Sequence, residues 1–386
     1  MNSNSLKVDE ANMNDILVLG AGRVGSAIVR DLAQDFAVTA ADADADSLKR
    51  LESLCAAETE LLDLRNESEF RTLVGRHDLI IGALPGHLGF QSLRVVLEER
   101  KPTVDISFFE EDPFRLDELA RSNNVTAVVD CGVAPGLCNI LLADAGRQIE
   151  VEKYRCLVGG LPVKRPWPFE YKAPFSPIDV IEEYLRPARQ VVNGEIEIRP
   201  ALSDVEEVDF PEVGVLEAFT TDGLRTLLKT TRTPFMQEKT LRYPGHAELM
   251  RVLREAGFFS KDPLDVGGNS IRPIDLTSRL LFPLWQLGDD EEEFTVMLVE
   301  MEGLRDGERS RLRYLLYDRF DPNTRISSMA RTTGYTCCAV ARLIANGRFS
   351  RKGICPPEYV GREEGCFREV IQFLESRGVS LRKDTG

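Results

Sequence analysis

"DILVLGAGRVGSAIV", residues 15–29, runs a short, largely apolar strand into three glycines and then into an amphipathic helix. Gly20, Gly22 and Gly25 fall at the spacing G-x-G-x-x-G. The hexapeptide alone is a weak signal, but between a strand and a helix each glycine has a physical task. Gly20 permits the tight turn, Gly22 lets the backbone approach a pyrophosphate, and Gly25 lets the helix close on the strand, with the phosphates on the helix N-terminus. Arg23 and Val24 sit inside this loop and are counted with the cofactor contacts. The next apolar run, "FAVTAAD" at 36–42, ends at Asp42, whose carboxylate can bind both ribose hydroxyls of NAD and repel the extra phosphate of NADP. NAD is therefore the expected cofactor, with a flavin dinucleotide as the other possibility. Asp63 closes the third strand, where such domains often touch adenine, and Ala83, Leu84 and Pro85 close the fourth beside the nicotinamide path; all four could equally be turn residues.

Outward from this loop the same alternation continues. Runs at 56–64, 78–84, 103–108 and 125–132 bring the count to six candidate strands, separated by helical stretches such as "HLGFQSLRVVLEER". The pattern is that of a parallel sheet covered by helices, and the near-continuous apolar character of strands one and four suits burial on both faces. Ala134 to Ile149 reads as helix, after which the character changes to longer strands, prolines and acidic loops, so a second domain is expected. Strands are predicted over 153–161 and 238–243, and Asp306-Gly307 marks a hairpin across 294–318. Pro162 to Pro177 reads as a loop over a cleft, and "ISSMARTTGYTCCAVARLIANG" as a helix of about five turns stopped by Gly347.

Acidic residues outnumber basic ones by 63 to 48, a net charge of −15 that works against binding nucleic acid. No apolar run approaches the ~20 residues needed to cross a bilayer. The leader "MNSNSLKVDEANMND" is polar, lacks the features of a signal peptide and reads as a short tail, which makes the cytoplasm the default location. The eight cysteines show no CxxC pair and no zinc spacing, so buried reduced thiols are expected and no metal.

"DCGVAPGLCNIL", "VGGLPV", "PFEYKAPFS", "VLEAFTTDGLRTL", "TLRYPGHAE" and "MARTTGYTCCAVARLI", in this order behind a dinucleotide loop, resemble the saccharopine dehydrogenase superfamily, with the L-lysine 6-dehydrogenase branch as the best match. The resemblance implies an α/β chain: a Rossmann doubly wound parallel sheet over 13–133, an inserted α+β substrate domain with a mixed, mostly antiparallel sheet over 134–328, and a C-terminal segment over 329–386 that returns to the first domain. It also implies NAD-linked oxidation of the lysine side-chain amine to an imine, followed by hydrolysis to the 6-semialdehyde and ammonia. A homodimer or a dimer of dimers is expected, with the 294–318 hairpin extending a sheet across a two-fold axis.

Such chemistry makes demands on residues. Hydride leaves the carbon bearing nitrogen only when the amine is neutral, and an alkylammonium titrates near ~10.4, so the site needs a base or strong desolvation. An amino acid substrate also needs a cation for its carboxylate, best an arginine. Arg242 is the candidate carboxylate clamp, and His246 either a second carboxylate ligand or the proton acceptor; a surface ion pair and a helix-start histidine are the plainer alternatives. Tyr171 is a candidate to close over the cleft. Asp105 and Asp130 end strands five and six, where open α/β sheets place ligand-binding groups, so either can face the nicotinamide or the amine. Asp222 is a candidate for the α-ammonium or a turn cap. Two other readings stay open: a saccharopine or carboxynorspermidine type of secondary amine, with Lys164, Arg165 or Arg225 as the extra cation, and a non-catalytic NAD sensor.

Overall fold

A computed structural model describes residues 13–385, so most of the polar leader lies outside the described residues. Six strands, β1 (Asp15–Leu19), β2 (Ala37–Asp42), β3 (Glu58–Leu61), β4 (Leu79–Gly82), β5 (Thr103–Asp105) and β6 (Thr126–Val128), fall where the apolar runs place them. They form one parallel sheet in the order β6-β5-β4-β1-β2-β3, with Gly353–Cys355 from the C-terminal segment added beside β6. Apolar side chains alternate to both faces of β1 and β4, and both strands are fully buried apart from Asp15. The order reverses between β4 and β1, and the carboxyl ends of those two strands open the crevice in which doubly wound sheets hold ligands.

The fifth and sixth strands are shorter than their apolar runs. Asp130 takes a left-handed backbone (φ 54°), which takes the chain out of the ladder after Val128. The helix read from Ala134 starts only at Leu137, because Gly136 sits at φ 133°, outside the helical region.

The second sheet has nine strands, with β7 (Glu150–Pro162) near its centre between Phe235–Arg242 and Glu293–Arg305. Its pairings are antiparallel except for β7 with Phe235–Arg242. The hairpin Glu293–Arg305 to Glu308–Arg319 turns at Asp306 and Gly307, both at positive φ as the two-residue turn requires. Its outer strand is not the free edge expected for a two-fold sheet: Leu381–Thr385 pairs with Leu312–Leu316 and covers nearly half of it.

After this hairpin the chain returns to the first sheet. The helix Ser328–Ala345, capped by Ser327 and followed by Gly347 at φ 67°, packs on the helix Arg23–Leu32. Gly334 makes the close crossing possible, since a Cβ there would lie 3.2 Å from Ile28. All eight cysteines are free, and seven are buried. No helix among the described residues is long and apolar enough to cross a membrane.

Candidate active site

One cavity of about 1190 Å³ runs from the glycine loop to the strand Phe235–Arg242 and the helix Pro177–Leu185. At its first end, backbone shape dominates. Gly20 is at φ 102°, and a Cβ there would stand 2.3 Å from the Ala83 carbonyl; one at Gly25 would stand 2.0 Å from the Gly20 carbonyl. Nothing lies within 4 Å of the corresponding point at Gly22, which faces open space. The helix that follows has no acidic residue in its first turn and no side-chain cap, which leaves its amide N–H groups for an anion.

Asp42 accepts the Ala21 N–H at 2.6 Å on one oxygen and the Asp44 N–H at 2.9 Å on the other. A carboxylate has about four lone-pair sites, so two remain for ribose hydroxyls. Ala83, Leu84 and Pro85 line the adjoining wall with Val24. Asp63 also borders the cavity, though Arg65 grips its carboxylate at 2.9 Å and holds its pKa down at about 2. Arg23 lines the cavity too, but its guanidinium is held by the Leu287 carbonyl and by Asp289, not free for phosphate. Taken together, the residues at this end fit a nicotinamide dinucleotide.

The other end is built from one face of the strand Phe235–Arg242. Side chains two apart share a face, so Glu238, Thr240 and Arg242 all line the cavity. Arg242 is 3% exposed, lies with its guanidinium 4.5 Å over the Tyr171 ring, and meets Glu183 at 3.3 Å. Its Nε is buried with no hydrogen-bond partner among the described residues. Glu238 accepts hydrogen bonds from the Thr221 hydroxyl at 2.7 Å and the Gly223 N–H at 3.1 Å, both on the same oxygen. Burial, reinforced by the charges of Glu183 and Asp222, pushes its carboxyl up to about 8 despite these bonds. Glu183, from the helix Pro177–Leu185, is likewise raised by burial to about 7, although Arg242 pulls the other way.

Five residues expected to do chemistry here are placed differently. His246 starts the helix His246–Glu255 and does not line the cavity; its Nδ1–H donates to the Phe169 carbonyl at 3.0 Å and its Nε2 accepts from the Tyr184 hydroxyl at 2.9 Å. With both nitrogens engaged, burial and the Arg242 charge drive its pKa down to about 3, so it is a neutral residue of the layer behind Arg242, not a proton acceptor. Tyr171 is buried beneath the same guanidinium instead of closing over the cleft, and Ala173 and Phe175 line the cavity in its place. Asp130 borders the cavity but is bonded by Arg225 at 3.0 and 3.1 Å, a pair buried on both sides. Asp222 is likewise taken up, by Arg189 at 2.7 and 2.9 Å and by the Arg189 N–H. Asp105 lies behind Gly82, accepts the Ser107 N–H at 2.7 Å, and is raised by burial to about 7.

Glu238 and Glu183 were not singled out in the sequence. For Glu238 a signal existed: E-x-T-x-R on a strand puts its carboxylate on the face of Arg242. For Glu183 the cue was a helix start at Ser176-Pro177, with proline at the first helical position.

The model of the saccharopine dehydrogenase C-terminal domain matches residues 132–379, and that of the saccharopine dehydrogenase NADP binding domain matches 16–128. Among curated proteins, the mitochondrial alpha-aminoadipic semialdehyde synthase of Mus musculus is 23% identical over 264 residues, 64% of this chain and 28% of that protein. The L-glutamate-forming, NADP(+) saccharopine dehydrogenase of Pyricularia oryzae is 22% identical over 271 residues, 64% of this chain and 58% of that protein. The chain thus spans about a quarter of the first relative and little more than half of the second. The apo saccharopine dehydrogenase (L-Glu forming) of Saccharomyces cerevisiae shares the fold, with a TM-score of 0.78 and 18% identity over 97% of this chain and all of that one. A glycine loop and a strand-borne glutamate–arginine row open onto one cavity, and family models cover both sheets: the chain belongs to the saccharopine dehydrogenase family.

Proposed function

We propose that the chain is an NAD-linked dehydrogenase that oxidises the side-chain amine of L-lysine, giving the 6-semialdehyde and ammonia. One observation carries the reading: Glu238 and Arg242 stand on the same face of one strand, in the cavity that the glycine loop also lines. Four residues of strand span ~13 Å, the length of an extended lysine with a ~3 Å hydrogen bond at each end. Arg242, its Nε unpartnered, takes the carboxylate, and Glu183 beside it takes the α-ammonium. A nicotinamide dinucleotide held by the glycine loop and Asp42 would supply the hydride acceptor. Glu238 lies toward the carboxyl ends of β5 and β6, since Gly223 contacts its carboxyl and nearby Arg225 bonds Asp130. There it accepts the proton that the amine must lose before hydride departs, and a carboxyl poised near 8 is matched to that exchange. Asp42 favours NAD over NADP by its charge.

A second reading, a secondary amine with an additional carboxylate such as saccharopine, is supported by Arg186, which lines the same cavity with a buried, unpartnered Nη1. The test is NADH formation with lysine, ornithine and saccharopine from neutral to alkaline pH. Lysine is expected to give the highest kcat/KM. A preference for saccharopine selects the second reading, and no NADH with any amine, despite cofactor binding, removes both.

A further inference from the structure

The cavity wall carries a row of hydroxyls that the oxidation of the amine does not use. Thr220, Thr221 and Asp222 follow one another at the end of the strand Gly214–Thr220, and two of them are taken up by the fold: the Thr220 hydroxyl donates to the Ser203 carbonyl at 3.0 Å, and Asp222 holds Arg189. The Thr221 hydroxyl instead stands 2.7 Å from Glu238 Oε2 and 2.9 Å from the Thr240 hydroxyl. Thr221, Thr240 and Glu238 all line the cavity, and each is buried. A buried hydroxyl costs free energy unless it is bonded, and valine would fill the same space at either threonine without that cost. Two hydroxyls in line with a carboxyl therefore call for a polar role.

The carboxyl sets the donor order along this row. The Gly223 N–H and the Thr221 hydroxyl both donate to Oε2, so Thr221 spends its one hydrogen there and accepts from Thr240. Thr240 in turn spends its hydrogen on Thr221 and keeps a lone pair for the cavity; among the described residues nothing else bonds its hydroxyl. A water in the cavity consequently donates to Thr240, which leaves the water's own lone pairs directed away from the wall. Thr240 lies two residues from Glu238 on the same strand face, ~7 Å along the strand toward Arg242. An amine whose nitrogen meets Glu238 Oε1, and whose chain runs toward Arg242, brings its reacting carbon to the Thr240 side of that nitrogen.

We propose that Thr240 is a catalytic residue of the hydrolytic step: its hydroxyl holds the water that attacks the imine, and Thr240 and Thr221 pass that water's proton to Glu238. In the addition the water oxygen bonds the imine carbon as one of its O–H bonds breaks. That proton goes to Thr240 Oγ, the proton of Thr240 to Thr221 Oγ, and the proton of Thr221 to Glu238 Oε2. The proton that Oε1 took from the amine passes to the nitrogen as the carbon–nitrogen double bond becomes single. Hydroxyl is added to carbon and hydrogen to nitrogen, both threonines recover their hydroxyls, and Glu238 stays neutral with its proton moved from one oxygen to the other. No charge is created at a wall where burial makes charge expensive. The inference rests on Glu238 as the proton acceptor of the oxidation and holds for a primary or a secondary amine.

Rapid mixing separates the two steps, because NADH appears in the first and turnover requires both. With the amine of highest kcat/KM and saturating NAD, Thr240→Val is expected to form its first NADH per site at a rate close to that of the wild type. It should then turn over ~10²-fold more slowly, the low end of what a positioned proton-transfer group contributes. Thr240→Ser, which keeps a hydroxyl, is expected to restore most of the lost turnover. A first NADH and a turnover that fall together in Thr240→Val, a turnover that does not fall, or a serine variant as slow as the valine one would each overturn the relay. Glu238→Gln keeps those results apart from a failure of the oxidation reading: it should slow the first NADH itself by ~10²–10⁴. A first NADH unchanged in Glu238→Gln would remove the acceptor on which the relay depends.

Discussion

Replacing Glu238 by glutamine separates a catalytic carboxyl from a structural one, because the two effects have opposite signs. An exposed glutamate loses its proton near 4.5, whereas burial holds that of Glu238 to about 8. Between those values the folded chain keeps a proton that the unfolded chain releases, so this group costs more stability as pH rises and the cost levels off above about 8. At pH 7 the interval is about 2.5 units, and at ~1.4 kcal/mol per unit the penalty is about 3 kcal/mol. Glutamine can still accept from the Thr221 hydroxyl and the Gly223 N–H, and it carries no such penalty. Glu238→Gln should therefore match the wild type in denaturant unfolding near pH 4.5 and exceed it by ~3 kcal/mol at pH 7. In the same preparation kcat/KM for the amine should fall by ~10²–10⁴, and the limb of the pH–rate profile that rises toward 8 should flatten. A variant less stable than wild type at both pH values refutes the account of the buried proton. A rising limb that persists near 7 would assign the proton transfer to Glu183.

Arg242→Lys should raise KM for the amino acid by ~10- to 100-fold with a smaller change in kcat, because a carboxylate clamp contributes uniform binding; steady-state kinetics at saturating cofactor measures the split. His246→Asn should cost ~1–3 kcal/mol of stability by breaking the bonds to Tyr184 and Phe169 while leaving the position of the low-pH limb unchanged, as denaturant unfolding and a pH series on one preparation will record. Asp42→Ala should weaken NAD and strengthen NADP, shifting their ratio of dissociation constants by ~10-fold in a fluorescence titration, since the charge that repels the extra phosphate is gone.

How legible the site was depended on the range over which each signal acts. The glycine loop, Asp42 and the residues closing β4 line the cavity as the sequence placed them, because strand, turn and helix follow one another within a few residues and the loop's geometry is backbone geometry. Arg242, the candidate carboxylate clamp, also borders the cavity. His246 did not follow, although it lies only four residues on. Gly245 at φ 94° caps the start of a helix just after the strand ends at Arg242, and the helix turns the imidazole to Tyr184 and Phe169, residues 62 and 77 positions away. Asp130 and Asp222 sit at the cavity wall, yet their availability was decided by Arg225 and Arg189, 95 and 33 residues distant.

Local pattern alone therefore determined the elements: a parallel sheet from repeated apolar runs, a dinucleotide loop from three glycines, a hairpin from Asp306-Gly307. Each of these rests on backbone conformation and on burial that neighbouring residues enforce. The tertiary structure alone decided which ionisable groups are spent on partners and which stay poised. A carboxyl or an imidazole is set by its dielectric surroundings and by charges brought from elsewhere in the chain. Glu238 lines the cavity with one oxygen bonded and burial holding its proton, whereas His246 lies behind Arg242 with both nitrogens occupied, and no spacing in the sequence records that difference.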